Sequence, residues 1–246
     1  MRIEKYTKLK NGQYKLNFDD GSNALLHEDL ILKYGLLIIK ELTNEKLDAL
    51  LEENTSYIAY GLALDYLKVK MRSKKEIKEY LLKKEVKENL IDDALNILTS
   101  QGYLNDDVYC RAFINDRINL SNDGPYKIKE NLIKLGIKED IIAKNIEVFH
   151  KDLEIERINK LINKQVKSNH NKSEYVLKRK LIDNLTILGY TKSIVIKEVE
   201  SLKISDSDIR EKEYKKIYDK LSKKYSGKEL EYKIKQKMYQ KGFYTE

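Results

Sequence analysis

The 246 residues are 36% charged and 41% hydrophobic, with 18 Tyr, 4 Phe and no Trp, a composition that builds Leu, Ile and Tyr stripes on otherwise solvated helices. Lone Cys110 excludes an internal disulfide and a Cys-rich metal site, and the longest aliphatic run, Leu36 to Ile39, is far short of the roughly 20 apolar residues that span a bilayer. The net charge of +8 is uneven: residues 1–150 hold 24 Lys and Arg against 25 Asp and Glu, and residues 151–246 hold 24 against 15, which points to a polyanionic partner, nucleic acid first, an acidic protein second and a membrane surface third.

Residues 1–27 read as a small antiparallel β meander. Tyr14, Leu16 and Phe18 alternate with polar residues, and Asn11-Gly12 and Asp20-Gly21 offer the turns. Glu28 to Tyr34 is a short predicted helix ended by Gly35, and Thr43 caps one that carries Leu47, Leu50 and Leu51. A new helix is expected to start near Ser56 and run through Lys70, with Ile58, Leu62, Tyr66 and Val69 on one apolar face.

From there the chain repeats. Ile77 and Leu81, Ile128 and Leu132, Leu177 and Leu181, and Leu230 and Ile234 are (i, i+4) apolar pairs, spaced by 51, 49 and 53 residues. That period suits helical trios that bury their apolar faces only by stacking. Ser73 with Glu76 and Ser226 with Glu229 fit a capping box, and Ser173 stands at the same place without the acid. Pro125, the only proline, suits a first helical turn, and Gly102 suits a helix end. Gly136 lies 8 residues past its anchor, whereas Gly189 and Gly242 lie 12 past theirs, so the later units carry one extra helical turn. The expected fold is mainly α: tandem three-helix repeats in an elongated, curved array after the meander. The expected partition is 1–55 for the N-terminal segment, 56–105, 106–150 and 151–203 for three trios, and 204–246 for a partial fourth.

Chemistry-bearing motifs are missing. There is no phosphate-binding Gly-rich loop, dinucleotide fingerprint, EF-hand loop or His-Glu-x-x-His. His27, His150 and His170 lie in different modules, and the Lys-Tyr-Ser-Gly-Lys-Glu run around Gly227 is explained by helix capping. No catalytic residue, cofactor or metal is therefore expected. Tyr66, Tyr103, Tyr109 and Phe113 are in apolar phase and read as core or junction residues.

Charge provides the candidate contact residues. Arg157, Lys160, Lys164 and Lys167 follow steps of 3, 4 and 3, one helical face, and Lys212, Lys216, Lys220 and Lys223 repeat the pattern in the last unit. Two such faces could track phosphates or an acidic groove, and reversing Arg157, Lys160 and Lys164 to Glu is expected to leave the helical fold unchanged, since the apolar face is untouched. Arg72, Arg117 and Lys127 are further candidates near helix ends. A direct nucleic-acid-binding helical protein would use the same residues.

The segments Ala63-Leu64-x-Tyr66-Leu67, Arg72-Ser73-x-x-Glu76-Ile77, Gly102-Tyr103-Leu104-Asn105-Asp106, Phe113-Ile114-x-x-Arg117, Gly124-Pro125 and Leu132 with Gly136-Ile137 resemble the RecX family of recombination regulators. The match is ordered over about 80 residues, and the hairpin and partial fourth repeat resemble its longer forms. The resemblance implies a non-enzymatic, cytoplasmic and monomeric protein that acts in DNA repair and the SOS response. It would bind the RecA nucleoprotein filament, inhibit its ATPase and strand exchange, and in some members bind single- or double-stranded DNA.

Overall fold

The computed structural model describes residues 1–9, 12–169 and 172–244; Asn11 of the first hairpin turn and His170 lie outside them. The chain divides into two compact units, Met1–Cys110 with Lys134–Ile141, and Arg111–Ile133 with Ile142–Glu246.

The first unit opens with β1 (Ile3–Lys8), β2 (Gln13–Phe18) and β3 (Asn23–His27), an antiparallel sheet in the order β1-β2-β3. Leu16 and Phe18 are buried, as the alternation predicted, while Tyr14 is half-buried; Leu26 of β3 is buried as well. After α1 (Glu28–Lys33) comes α2 (Asn44–Leu67). The outer edge of β3 is covered by α2, because Asn54 donates through Nδ2 to the Leu25 carbonyl at 3.0 Å and accepts from the His27 N–H at 2.8 Å. Pairing of this kind removes an open sheet edge.

The expected restart at Ser56 does not occur: α2 is one 24-residue helix. Neither hydroxyl at that point caps anything. Thr55 donates back to the Glu52 carbonyl at 2.6 Å and Ser56 donates to Asp93 at 3.0 Å, and no Gly or Pro interrupts the turn. The buried face also differs. Tyr57, Ala59, Tyr60 and Ala63 are buried, while Ile58 and Val69 are exposed. Tyr57 and Tyr60 pack their rings 5.6 and 5.7 Å from His27, and burying two aromatics outweighs burying Ile58.

Next come α3 (Lys74–Lys83) and α4 (Glu88–Ser100), which complete a trio in which α4 packs on both α2 and α3. Ile77, Leu81, Ile91, Ala94 and Leu98 are fully buried. Ser73 forms the expected capping box with Glu76. Past α4, Gly102 (φ 79°) closes the helix as the Tyr103 N–H bonds to the Leu98 carbonyl at 2.9 Å. That turn puts Leu104 in the core and leaves Tyr103 exposed, contrary to the core reading.

The helices α5 (Asp106–Leu120), α6 (Pro125–Lys134) and α7 (Glu139–Ile146) follow, with Pro125 opening α6 as expected. In the second unit, α8 (Lys151–Ser168), α9 (Glu174–Ile187) and α10 (Lys192–Glu200) form a trio, and α11 (Ser207–Leu221) packs on α12 (Gly227–Gln240). The repeat anchors occupy equivalent places in α3, α6, α9 and α12. Both α9 and α12 have 14 residues where α3 and α6 have 10, the extra turn that the glycine spacing implied. Ser173 caps α9 through the Val176 N–H at 3.3 Å. Ser226 does not cap α12, because Gly227 enters the helix at φ 55° and the Ser226 hydroxyl accepts no N–H there.

One junction explains why two glycines stand where they do. The Gly124 N–H donates to the Leu188 carbonyl at 2.7 Å and the Tyr126 N–H to the Gly189 carbonyl at 3.0 Å, so the start of α6 is bonded to the turn after α9. A Cβ on Gly124 would lie 2.4 Å from the Gly189 carbonyl carbon. The start of α9 meets the turn after α12 in the same way, with Ser173 Oγ donating to the Lys241 carbonyl at 3.1 Å. In the first unit Lys75 Nζ donates to the Lys134 carbonyl at 2.9 Å.

Candidate functional site

The candidate cations fall into two groups that the sequence did not separate: side chains fixed inside a repeat, and side chains held out in solvent.

Arg72 is fixed. It stands just before the Ser73 cap, its guanidinium 4.1 Å from the centroid of Tyr66, whose ring stacks on Tyr80 at 4.0 Å and 7°. Its Nη1 pairs with Glu76 Oε1 at 3.2 Å. The other Glu76 oxygen accepts from the Ser73 N–H and from the Tyr109 hydroxyl, both at 2.9 Å. Burial pushes the Glu76 carboxyl up, but the hydrogen bonds from Ser73, Tyr109 and Arg72 outweigh it and hold the group below the usual carboxylate range. The role of this arginine is to join the end of α2 to α3, and its side chain is only 14% exposed.

Arg157 is fixed too, and departs from the stripe it was grouped with. From α8 it donates through Nη1 to the Ile118 carbonyl and through Nη2 to the Ser121 carbonyl at 2.7 Å, with its guanidinium 5.6 Å from the Phe149 ring. Those carbonyls close the C-terminal end of α5, where a cation is favoured. A carboxylate in its place would leave both carbonyls without their donor, so the expectation that its charge can be reversed freely does not fit this geometry.

Next to this brace, Asp123 gathers the two remaining candidates near helix ends. Lys127 Nζ lies 2.9 Å from Asp123 Oδ1, and Arg117 Nη1 lies 3.9 Å from Asp123 Oδ2 with its guanidinium 4.8 Å from the Phe113 ring. Asp123 is buried, whereas Arg117 and Lys127 are about two-fifths exposed. Tyr190 stands close by, its hydroxyl buried and without a hydrogen bond of good geometry among the described residues; burial pushes its pKa up against the pull of the Arg157 guanidinium. Glu154 is buried as well, accepting from the Thr191 N–H at 2.6 Å to hold the start of α10. Sequence reading missed Asp123, Glu154 and Tyr190. The one local signal was Asp123 four residues before Lys127, an (i, i+4) pair across the Gly-Pro step.

Lys160, Lys164 and Lys167 are exposed along α8, and Lys212, Lys220 and Lys223 are exposed on and just after α11. Lys216 is exposed but pairs with Glu213 at 2.9 Å. Hydrogen bonds from Lys241 and then Lys216 hold the Glu213 carboxyl below its usual range. Among the described residues no cluster of His, Cys, Asp and Glu is placed to hold a metal ion, and no helix is long and apolar enough to cross a membrane.

Fold and site together define a class: a tandem three-helix-repeat protein that presents lysine faces on braced helices. Models of the first and second three-helix domains of RecX match residues 59–98 and 105–144. The regulatory protein RecX of Halalkalibacterium halodurans is 31% identical over 254 aligned positions, covering 100% of this chain and 95% of that one. For the RecX of Lactococcus lactis the figures are 34% over 238 positions, 92% and 87%. A crystal structure of regulatory protein RecX superposes with a TM-score of 0.70 at 25% identity, covering 82% of this chain and 100% of that one. RecX from Lactobacillus salivarius gives 0.56 at 25%, covering 61% and 97%. The chain belongs to the RecX family.

Proposed function

We propose that this protein is a non-enzymatic regulator that binds the RecA nucleoprotein filament and inhibits its ATPase and strand exchange in recombination and DNA repair, acting as a cytoplasmic monomer. The observation that carries the reading is full-length similarity to proteins named regulatory protein RecX. The lysine faces add physical support. A filament is a repetitive, strongly charged partner, and helical modules of about 50 residues, the first built on the later part of α2 and the others spanning 106–150, 151–203 and 204–246, suit repeated contact with it. In this reading Lys160, Lys164, Lys167, Lys212, Lys216, Lys220 and Lys223 supply the electrostatic contact. Arg117 and Lys127 add hydrogen-bonding cations around Asp123, and Arg72 and Arg157 act from inside by keeping their helices in place.

The second reading, a stand-alone nucleic-acid-binding protein, rests on the same exposed lysines, which would neutralise phosphates on naked DNA equally well. The two separate in one experiment. The ATPase of a RecA filament on single-stranded DNA is followed while purified protein is added at concentrations that do not shift the same DNA in a gel. A fall in hydrolysis under those conditions supports filament regulation; a fall only once the naked DNA is shifted supports the alternative.

A further inference from the structure

Asp123 and the two cations beside it are held in unequal ways. The acid lies on the link between α5 and α6, and that link is tied at three residues. The Asp123 N–H donates to Ser121 Oγ at 3.1 Å, Ser121 Oγ donates to the Arg117 carbonyl at 2.8 Å, Arg157 donates to the Ser121 carbonyl at 2.7 Å, and the Gly124 N–H donates to the Leu188 carbonyl at 2.7 Å. With its backbone fixed, the carboxylate stays in place, and its side chain is only 11% exposed. Lys127 Nζ and Arg117 Nη1, 2.9 and 3.9 Å from its two oxygens, sit instead on long side chains that are 39% and 42% exposed. The longer distance is past hydrogen-bond reach, so Asp123 offsets the Arg117 charge through space. Glu154, buried as well, is committed elsewhere, since its oxygens accept from the Thr191 N–H and hydroxyl at 2.6 and 3.2 Å.

We propose that Asp123 is a built-in counter-anion that holds down the affinity of Arg117 and Lys127 for the phosphates of single-stranded DNA. A guanidinium and an ammonium converging on one anion is an arrangement suited to phosphate. A phosphodiester arriving from solvent meets this pair already partly neutralised, and it must draw Lys127 away from a carboxylate that does not follow. Removing the carboxylate therefore raises the affinity, and the gain depends on Lys127. Holding that affinity down favours a partner that supplies further contacts over bare DNA. The role of Asp123 rests on the reading of Arg117 and Lys127 as contact residues, on a filament or on naked DNA alike.

The probe is a fluorescein-labelled oligothymidylate, titrated with the full chain and read by anisotropy across a salt series. Asp123→Asn, which keeps the shape of the side chain, is expected to tighten binding about three- to tenfold. It should also steepen the salt dependence by about 0.7 in slope, the effect of one further phosphate contact on a single strand. In a Lys127→Gln background the gain should fall to about twofold or less; a purely structural part for Asp123 would give no gain in either. Asp48→Asn, the same change of charge at an exposed place in the first unit, should move the affinity by less than about twofold. If Asp123→Asn loses the circular dichroism of the parent, Asp123→Ser, smaller and also uncharged, takes its place. Should Arg117→Gln with Lys127→Gln bind as the parent does, these cations touch no phosphate, and both their reading as contacts and the role of Asp123 fall. Weaker binding by that pair, with no gain from Asp123→Asn or with an equal gain from Asp48→Asn, overturns the role of Asp123 alone. No saturable binding by the parent and by Asp123→Asn alike overturns it too.

Discussion

Gly124 and Gly189 stand with their backbones in direct contact, the Gly124 N–H bonded to the carbonyl just before Gly189 and no space for a β-carbon on either. A Cβ on Gly124 would meet only main-chain atoms, at 2.4 to 2.5 Å, and main chain cannot swing aside. Gly124→Ala is expected to destabilise by about 3 kcal/mol, at the upper end of overpacking costs. Gly61→Ala is the control. Gly61 lies inside α2 with nothing within 4 Å of the added carbon, so the gain in helix propensity should raise stability by about 0.5–1 kcal/mol. Urea unfolding of both variants checks the pair.

Arg157 and Lys160 share a helix face and differ in consequence. Arg157→Ala strips the Ile118 and Ser121 carbonyls of their charged donor, and should cost about 2–3 kcal/mol. Lys160→Ala, at an exposed position, should stay within about 0.5 kcal/mol. Equal effects in thermal or urea unfolding would contradict the division into braces and contacts.

Glu76 gives the first unit a pH dependence of known sign. Its carboxyl is held below the usual 4.5 in the folded chain, so the stability it contributes is present above that value and is lost as the pH falls through the depressed folded pKa. Glu76→Gln should lower stability at pH 7 and flatten the acid limb of the stability profile. A profile parallel to that of the parent down to pH 3 would show that the Arg72, Ser73 and Tyr109 contacts contribute nothing of this kind.

Cys110 is buried, and burial, followed by the nearby Asp107 and Asp106, pushes its thiol up to about 11. Only the thiolate reacts with disulfide reagents. Labelling at pH 8 is therefore expected to be slow in the native protein and fast in urea, and fast native labelling would count against the burial.

The repeat itself was legible in the sequence because Ile77, Ile128, Leu177 and Leu230 are set by local periodicity, and the extra turn could be counted from glycine spacing. Where the reading failed, tertiary contacts decided. Nothing local told that Ser56 would bond to Asp93 rather than cap a helix. The turn after α3 is closed by Glu85 at φ 60°, 8 residues past Ile77, where the next repeat has Gly136; a non-glycine residue in that conformation gives no sequence signal. Among the cations, spacing identified the lysine faces of α8 and α11, which depend on one helix alone. Arg157 was grouped with them because its carbonyl acceptors lie 36 and 39 residues away in the chain.

The claim that these lysine faces carry the regulatory contact is tested most directly by the triple variant Lys160→Glu, Lys164→Glu, Lys167→Glu, assayed against the ATPase of a RecA filament on single-stranded DNA across a salt series. All three side chains are exposed, so the helical circular dichroism should match the parent. Inhibition should weaken markedly at low salt, and its dependence on salt should flatten as phosphate or carboxylate contacts are lost. Inhibition equal to that of the parent at both low and high salt would contradict the account and leave this lysine face as solvated surface.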